Sequence, residues 1–171
     1  MDHSDDTRDI FIVGLRNAHA MENQALSVMR PQVERLEHYP DLKAMLQRHI
    51  SETEGQIVRL EQIFDMVDES PSGLKATLLS AMGAMASMSH SLASDEVLKN
   101  SMANYMFEHF EIAAYTSLIT MAGHVGAASA VPLLEQSLAE ERRFADWLHD
   151  ALPTVTDTFM TRTAAGLQAG V

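Results

Sequence analysis

No cysteine occurs among the 171 residues, which excludes structural disulfides, thiolate zinc sites and iron–sulfur clusters. Any metal must then be held by Asp, Glu, His or carbonyl oxygen, a donor set that suits iron, manganese, zinc or magnesium. Basic residues are scarce as well: 12 Lys and Arg stand against 24 Asp and Glu, a formal charge of −12. That field repels phosphate and no Lys/Arg cluster offsets it, so neither nucleic acid nor an anionic membrane is an expected partner. No apolar run approaches 18 residues, and the amino-terminal MDHSDDTRD lacks the basic and apolar regions of a secretory signal, so a cytoplasmic location is expected. A glycine-rich phosphate loop and a nucleophile elbow are missing too, which removes two common enzyme classes.

The segments between the five prolines are rich in Ala, Leu, Met, Glu and Gln rather than in β-branched or aromatic residues, and that is helical composition. One domain spanning 1–171 is expected. The first periodic stretch, about 7–38, carries Phe11, Leu15, His19, Glu22, Leu26, Met29, Val33 and Leu36 at alternating threes and fours, with Pro31 predicting a kink. A second helix, about 41–68, places Met45, His49, Glu52, Gln56, Leu60, Ile63 and Val67 on one stripe, widened by Leu46, Ile50, Ile57 and Phe64. A third is predicted over 95–122, ending at the break Gly123–Gly126, and a fourth over 128–151, stopped by Pro153, with a tail over 153–171. Between the second and third, residues 70–94 form a crossover that is Met-, Ala- and Ser-rich over Leu74 to Leu92. A short helix is expected there, covered by the bundle or by a second subunit. The fold class that follows is all-α, an antiparallel four-helix bundle of ferritin-like type with a crossover connection.

Acids stand where such a bundle should be apolar. Leaving a carboxylate in low dielectric without a partner costs on the order of several kcal/mol, yet each long helix has one in its stripe: Glu22, Glu52, Glu108 and Glu141. Glu108 lies 15 residues before Gly123 and Glu141 lies 15 beyond Gly126, so antiparallel pairing brings both to one height, about 22 Å from the turn. The match between Glu22 and Glu52 across the turn at Tyr39 is poorer by roughly 6 Å. His49 lies one turn before Glu52, and His109 is next to Glu108. The blander reading is a solvated flank for the acids and hydrogen-bonded core positions for the histidines. Glu54, Glu111 and Glu140 sit further off the stripes, and the twelve methionines read as flexible core filling.

Two segments carry a family resemblance: Glu108-His109-Phe110-Glu111-Ile112-Ala113-Ala114-Tyr115, and His49-Ile50-Ser51-Glu52-Thr53-Glu54-Gly55-Gln56-Ile57 followed by Arg59-Leu60-Glu61. Weaker pieces surround Glu22 and run from Leu133 to Glu141. In these the chain resembles the YciE/YciF group of bacterial ferritin-like proteins, over roughly residues 9–150. The resemblance implies a homodimer, an association with stress responses, and a di-metal site like that of rubrerythrins. It carries the family's acids onto Glu22, Glu52, Glu108, Glu111 and Glu141. The chain departs from the family at Ser51, at Ala145 and in the acid-free stretch Ala84 to Ser91, and Gly55 and Phe144 break the Glu-x-x-His pattern.

The functional expectation is a stress-associated protein with a carboxylate-bridged pair of divalent metal ions, iron or manganese foremost and zinc next, that oxidises metal or reacts with dioxygen or peroxide. The candidate ligands are Glu22, Glu52, Glu108, Glu111, Glu141, His49 and His109, with Glu52 and Glu141 bridging and Glu22 and Glu108 terminal. The rival expectation is a non-enzymatic dimeric bundle with a degenerate site that acts as an interaction protein.

Overall fold

The computed structural model describes residues 4–71 and 94–170. They form four long helices, α1 (Ser4–Arg35), α2 (Pro40–Met66), α3 (Glu96–His124) and α4 (Val131–Ala164), with a 3-10 turn at Ala128–Ala130 before the last. No strand occurs among the described residues. Each of α1 and α4 packs against both α2 and α3, so the four helices stand at the corners of an antiparallel bundle. Residues 72–93 of the expected crossover, with its predicted short helix, lie outside the described residues.

Local chemistry explains where the helices start and stop. Asp5 and Asp6 in the first turn of α1 meet the positive end of its dipole. Pro40 opens α2, where its missing N–H costs nothing. The far end of α2 turns through Asp68 at φ 55° and is clamped to α1 by two arginines. Arg8 and Arg16 each reach a different oxygen of Glu69 at 3.0 Å, and they donate to the carbonyls of Val67 and Ser70 as well. At the end of α3 the left-handed residue is Gly126, φ 74°, a conformation without penalty for glycine.

Pro153 does not stop the last helix: α4 runs through it to Ala164. Pro31 likewise lies inside α1. Both prolines are exposed, as are Ser27 and His149 four residues earlier, so the carbonyls that lose an N–H partner face water rather than core. Beyond α4, Gly166 at φ 70° turns the chain back, and Tyr39 Oη donates to the carbonyl of Ala169 at 2.5 Å.

The core is divided in two. One apolar cluster holds Phe11, Leu15, Leu60, Ile63, Phe64, Leu118, Leu134 and Leu138. The other holds Ala25, Met29, Leu36, Leu42, Leu46, Val97, Phe144 and Leu148. In the sequence interval between the two clusters lie the buried Glu22 on α1, His49 on α2, Glu108 and Glu111 on α3, and Glu140 and Glu141 on α4, so the bundle carries a polar layer between two apolar ones.

Candidate metal centre

Each helix delivers its residue to this layer by the same spacing that builds the core. On α1, Glu22 follows Phe11, Leu15 and Ala18 and is wholly buried. On α2 the buried positions are Leu42, Leu46, His49, Thr53, Gln56, Leu60, Ile63 and Phe64, and the run of threes and fours up to Ile63 brings His49 inward. On α3, Glu108, Glu111 and Tyr115 share the buried arc, and on α4 Glu141 lies between Leu138 and Ala145. One ligand atom from each of His49, Glu108, Glu111 and Glu141 lies within 4.8 Å of all the others.

His49 is the hub. Its Nε2 is 3.3 Å from Glu108 Oε2 and 3.5 Å from Glu141 Oε2, its Nδ1 is 3.5 Å from Glu52 Oε2, and its ring stacks on Phe144 with centroids 4.0 Å apart. Glu22 adjoins the group through Tyr115, whose hydroxyl donates to Glu22 Oε1 at 2.5 Å. Beside the layer, Arg59 pairs with Glu140, Gln56 donates to the same carboxylate at 3.2 Å, and Arg59 Nε donates to Ser137 Oγ at 3.0 Å.

The charges are set by burial first. Burial raises the Glu22 carboxyl to about 8, against the lowering effect of the Tyr115 hydrogen bond. Burial, with the charges of neighbouring acids, holds Glu111 and Glu141 well above the usual carboxylate range. Burial also lifts the Tyr115 phenol, helped by the Glu22 charge, so Tyr115 stays a donor. For His49 burial works the other way, toward neutrality, but the charge of Glu108 against Nε2, with Glu52 and Glu22, outweighs it and pushes the imidazole up to about 9.

This arrangement fits a bound cation. Glu22 Oε2, His49 Nε2, Glu108 Oε2 and both oxygens of Glu111 and Glu141 are buried without a hydrogen-bond partner of good geometry. Buried polar groups are seldom left so. A set of carboxylate oxygens with one imidazole nitrogen suits iron, manganese or zinc rather than a soft metal.

Two expected ligands stand apart. His109 is exposed and meets the Tyr105 ring edge to face at 4.6 Å, because one residue of helix turns it about 100° from Glu108. Glu52 is half-buried beside the layer, and its Oε1 accepts from Arg48 Nε at 3.2 Å and Arg143 Nη2 at 3.3 Å. Those contacts, led by the His49 hydrogen bond, pull its pKa down to about 2. The inward position next to it is Thr53, which donates to the His49 carbonyl at 3.0 Å. Conversely, Glu111 lies off the stripe predicted for α3 but is wholly buried, since α3 is covered by both α1 and α4 and its buried arc is correspondingly wide. Glu140, outside the expected site, is buried in the Arg59 network. The adjacent acids Glu140-Glu141 were the signal for two differently aimed carboxylates.

Fold and centre together define a ferritin-like helical bundle with a buried carboxylate and histidine layer. Comparison with known proteins agrees: the chain belongs to the family described as "Domain of unknown function (DUF892)", which matches residues 6–161, and it is a ferritin-like relative of YciF. It is 29% identical over 145 residues to "Protein YciF" of Escherichia coli K12, covering 78% of this chain and 82% of that one. The crystal structure of "the E.coli stress protein YciF" superposes with a TM-score of 0.74 at 26% identity, over 85% of this chain and 94% of that one. A protein of Xanthomonas campestris pv. campestris gives a TM-score of 0.79 at 28% identity, over 93% and 99%. The fold is also that of a "ferritin like, diiron-carboxylate" protein of Bacillus anthracis, TM-score 0.69 at 18% identity, over 89% and 99%.

Proposed function

We propose that this chain is a cytoplasmic, stress-associated ferritin-like protein whose bundle holds two divalent metal ions, iron foremost with manganese or zinc as alternatives, and that the loaded centre oxidises metal or reacts with dioxygen or peroxide. The observation that carries this reading is the set of seven buried oxygen and nitrogen atoms, drawn from all four helices, that meet in one layer without a hydrogen-bond partner of good geometry. The stress association is supported by the likeness to YciF, described as a stress protein.

Bound ions of variable valence would supply the electrons that dioxygen or peroxide accepts. The chain does the rest. Glu111 and Glu141 have both oxygens uncommitted and would each offer two of them to the ions, so Glu111 would take the part expected of Glu52. Glu108, His49 and Glu22 would bind terminally, Glu22 through the oxygen that Tyr115 leaves free. Phe144 against the imidazole and the two apolar clusters above and below keep bulk water out. Protein purified from cells grown with ordinary trace metals should carry about two iron or manganese ions per chain. Elemental analysis that finds none, with no rise in melting temperature on adding Fe(II) or Mn(II), overturns the reading.

A homodimer belongs to the same proposal. α3 turns Met102, Met106 and Phe110 outward at 54, 45 and 43% exposure. Phe110 also borders an apolar groove of about 170 Å³ between α1 and α3, lined by Gly14, Ala18, Met21, Leu118 and Met121. A second copy would cover a surface of this kind.

A further inference from the structure

We propose that Glu52 is the positioning residue for His49, holding the imidazole by Nδ1 so that Nε2 is presented to a divalent cation, and is not itself a metal ligand. The inference rests on the metal-centre reading above and deepens it.

The ring is held from three sides. Nδ1 lies 3.5 Å from Glu52 Oε2, Nε2 points at Glu108 and Glu141 from 3.3 and 3.5 Å, and one face lies on Phe144 at an interplanar angle of 21°. Glu52 is anchored in turn. Arg48 on its own helix and Arg143 on α4 both donate to its Oε1, and Arg143 is tied further by a 3.1 Å bond to the Ala139 carbonyl. The carboxylate is therefore held at the rim of the layer, with Oε1 taken up by two guanidinium groups and Oε2 facing the imidazole. A carboxylate on one imidazole nitrogen fixes the proton there, sets the ring plane and leaves the lone pair of the other nitrogen for the metal. Removing such a partner weakens metal binding by roughly 10–100-fold.

Cobalt(II) titration of the full chain, followed by its visible ligand-field absorption, tests this. The wild type should bind with a spectrum that includes a nitrogen ligand. Glu52→Ala should bind about 10–100-fold more weakly with shifted bands, Glu52→Gln should fall between, and the metal-free variants should keep the helical circular dichroism of the wild type. In a His49→Ala background, Glu52→Ala should have no further effect. Wild-type affinity and bands in Glu52→Ala overturn the inference while leaving the metal centre intact. A loss on Glu52→Ala that persists undiminished in the His49→Ala background makes Glu52 a ligand and overturns it too. If the wild type takes up no cobalt, both this inference and the metal-centre reading fall.

Discussion

At residue 49 burial pulls the imidazole toward neutrality, and the acids around it prevail, lifting its pKa to about 9. An imidazolium thus fills, in metal-free protein, part of the role a cation would take, and it must give up its Nε2 proton when a metal binds. The signs for stability follow. The Glu22 carboxyl is raised from 4.5 to about 8, so its contribution is full below 4.5 and lost as pH rises through 8. The His49 contribution is full below 6.5 and lost as pH rises through 9. Metal-free protein should therefore melt lower at pH 9 than at pH 6, and the increment on adding Mn(II) should grow over the same interval because fewer protons compete. Each 1 kcal/mol appears as roughly 2–4 °C in a domain of this size, within reach of differential scanning fluorimetry. Glu52, lowered to about 2, acts in the opposite sense: its contribution is present above 4.5 and lost as pH falls through 2. Replacing Glu141 by Gln removes a buried acid whose ionised form is disfavoured by burial and by the acids beside it. Metal-free Glu141→Gln should consequently melt at or above the wild type at pH 8 yet lose most of the rise on adding Fe(II) or Mn(II). The same change at exposed Glu135 should leave that rise intact.

Among the elements, α4 shows how weakly a local rule binds a long helix. Proline in a helix interior costs about 3 kcal/mol relative to alanine, and Pro153 accordingly read as a stop. Upstream, Leu148 and Ala145 are buried, and downstream so is Val155. Tertiary burial on both sides of the proline carries the helix to Ala164. Because Pro153 is exposed, Pro153→Ala should stabilise the protein by about 1–3 kcal/mol in urea unfolding, without altering metal uptake. No gain would mean that the ring makes a contact worth as much as the lost backbone bond. On α2 the same competition was decided by packing of a different kind. A stripe drawn through Met45, His49 and Glu52 differs from the one the bundle selects, through Leu46, His49 and Thr53, by about one residue's rotation, and the packing of α2 against both α1 and α4 tells them apart.

For the whole molecule, the α1–α3 face is where the proposed homodimer would form. If Met106 and Phe110 lie in a homodimer interface, light scattering should return close to twice the chain mass of 18.9 kDa. Phe110→Glu should shift it toward a single chain, and the metal-dependent melting rise should survive, since Phe110 is not among the atoms of the polar layer. A wild-type mass near 18.9 kDa at micromolar concentration removes the dimer from the proposal.

Composition and period were sufficient for four helices and for an acid on each of them, because helical spacing is a local property and a carboxylate in an apolar stripe is conspicuous wherever the helix lies. Glu22, Glu108 and Glu141 were legible in this way. The selection of His49 over His109, the displacement of Glu52 to the rim, the burial of Glu111 and the Arg59–Glu140 pair were not. Each depends on how far one helix is rotated against its neighbours. A helix's rotation about its own axis is fixed by contacts from residues distant in the chain, such as Phe144 against His49 or Arg143 against Glu52.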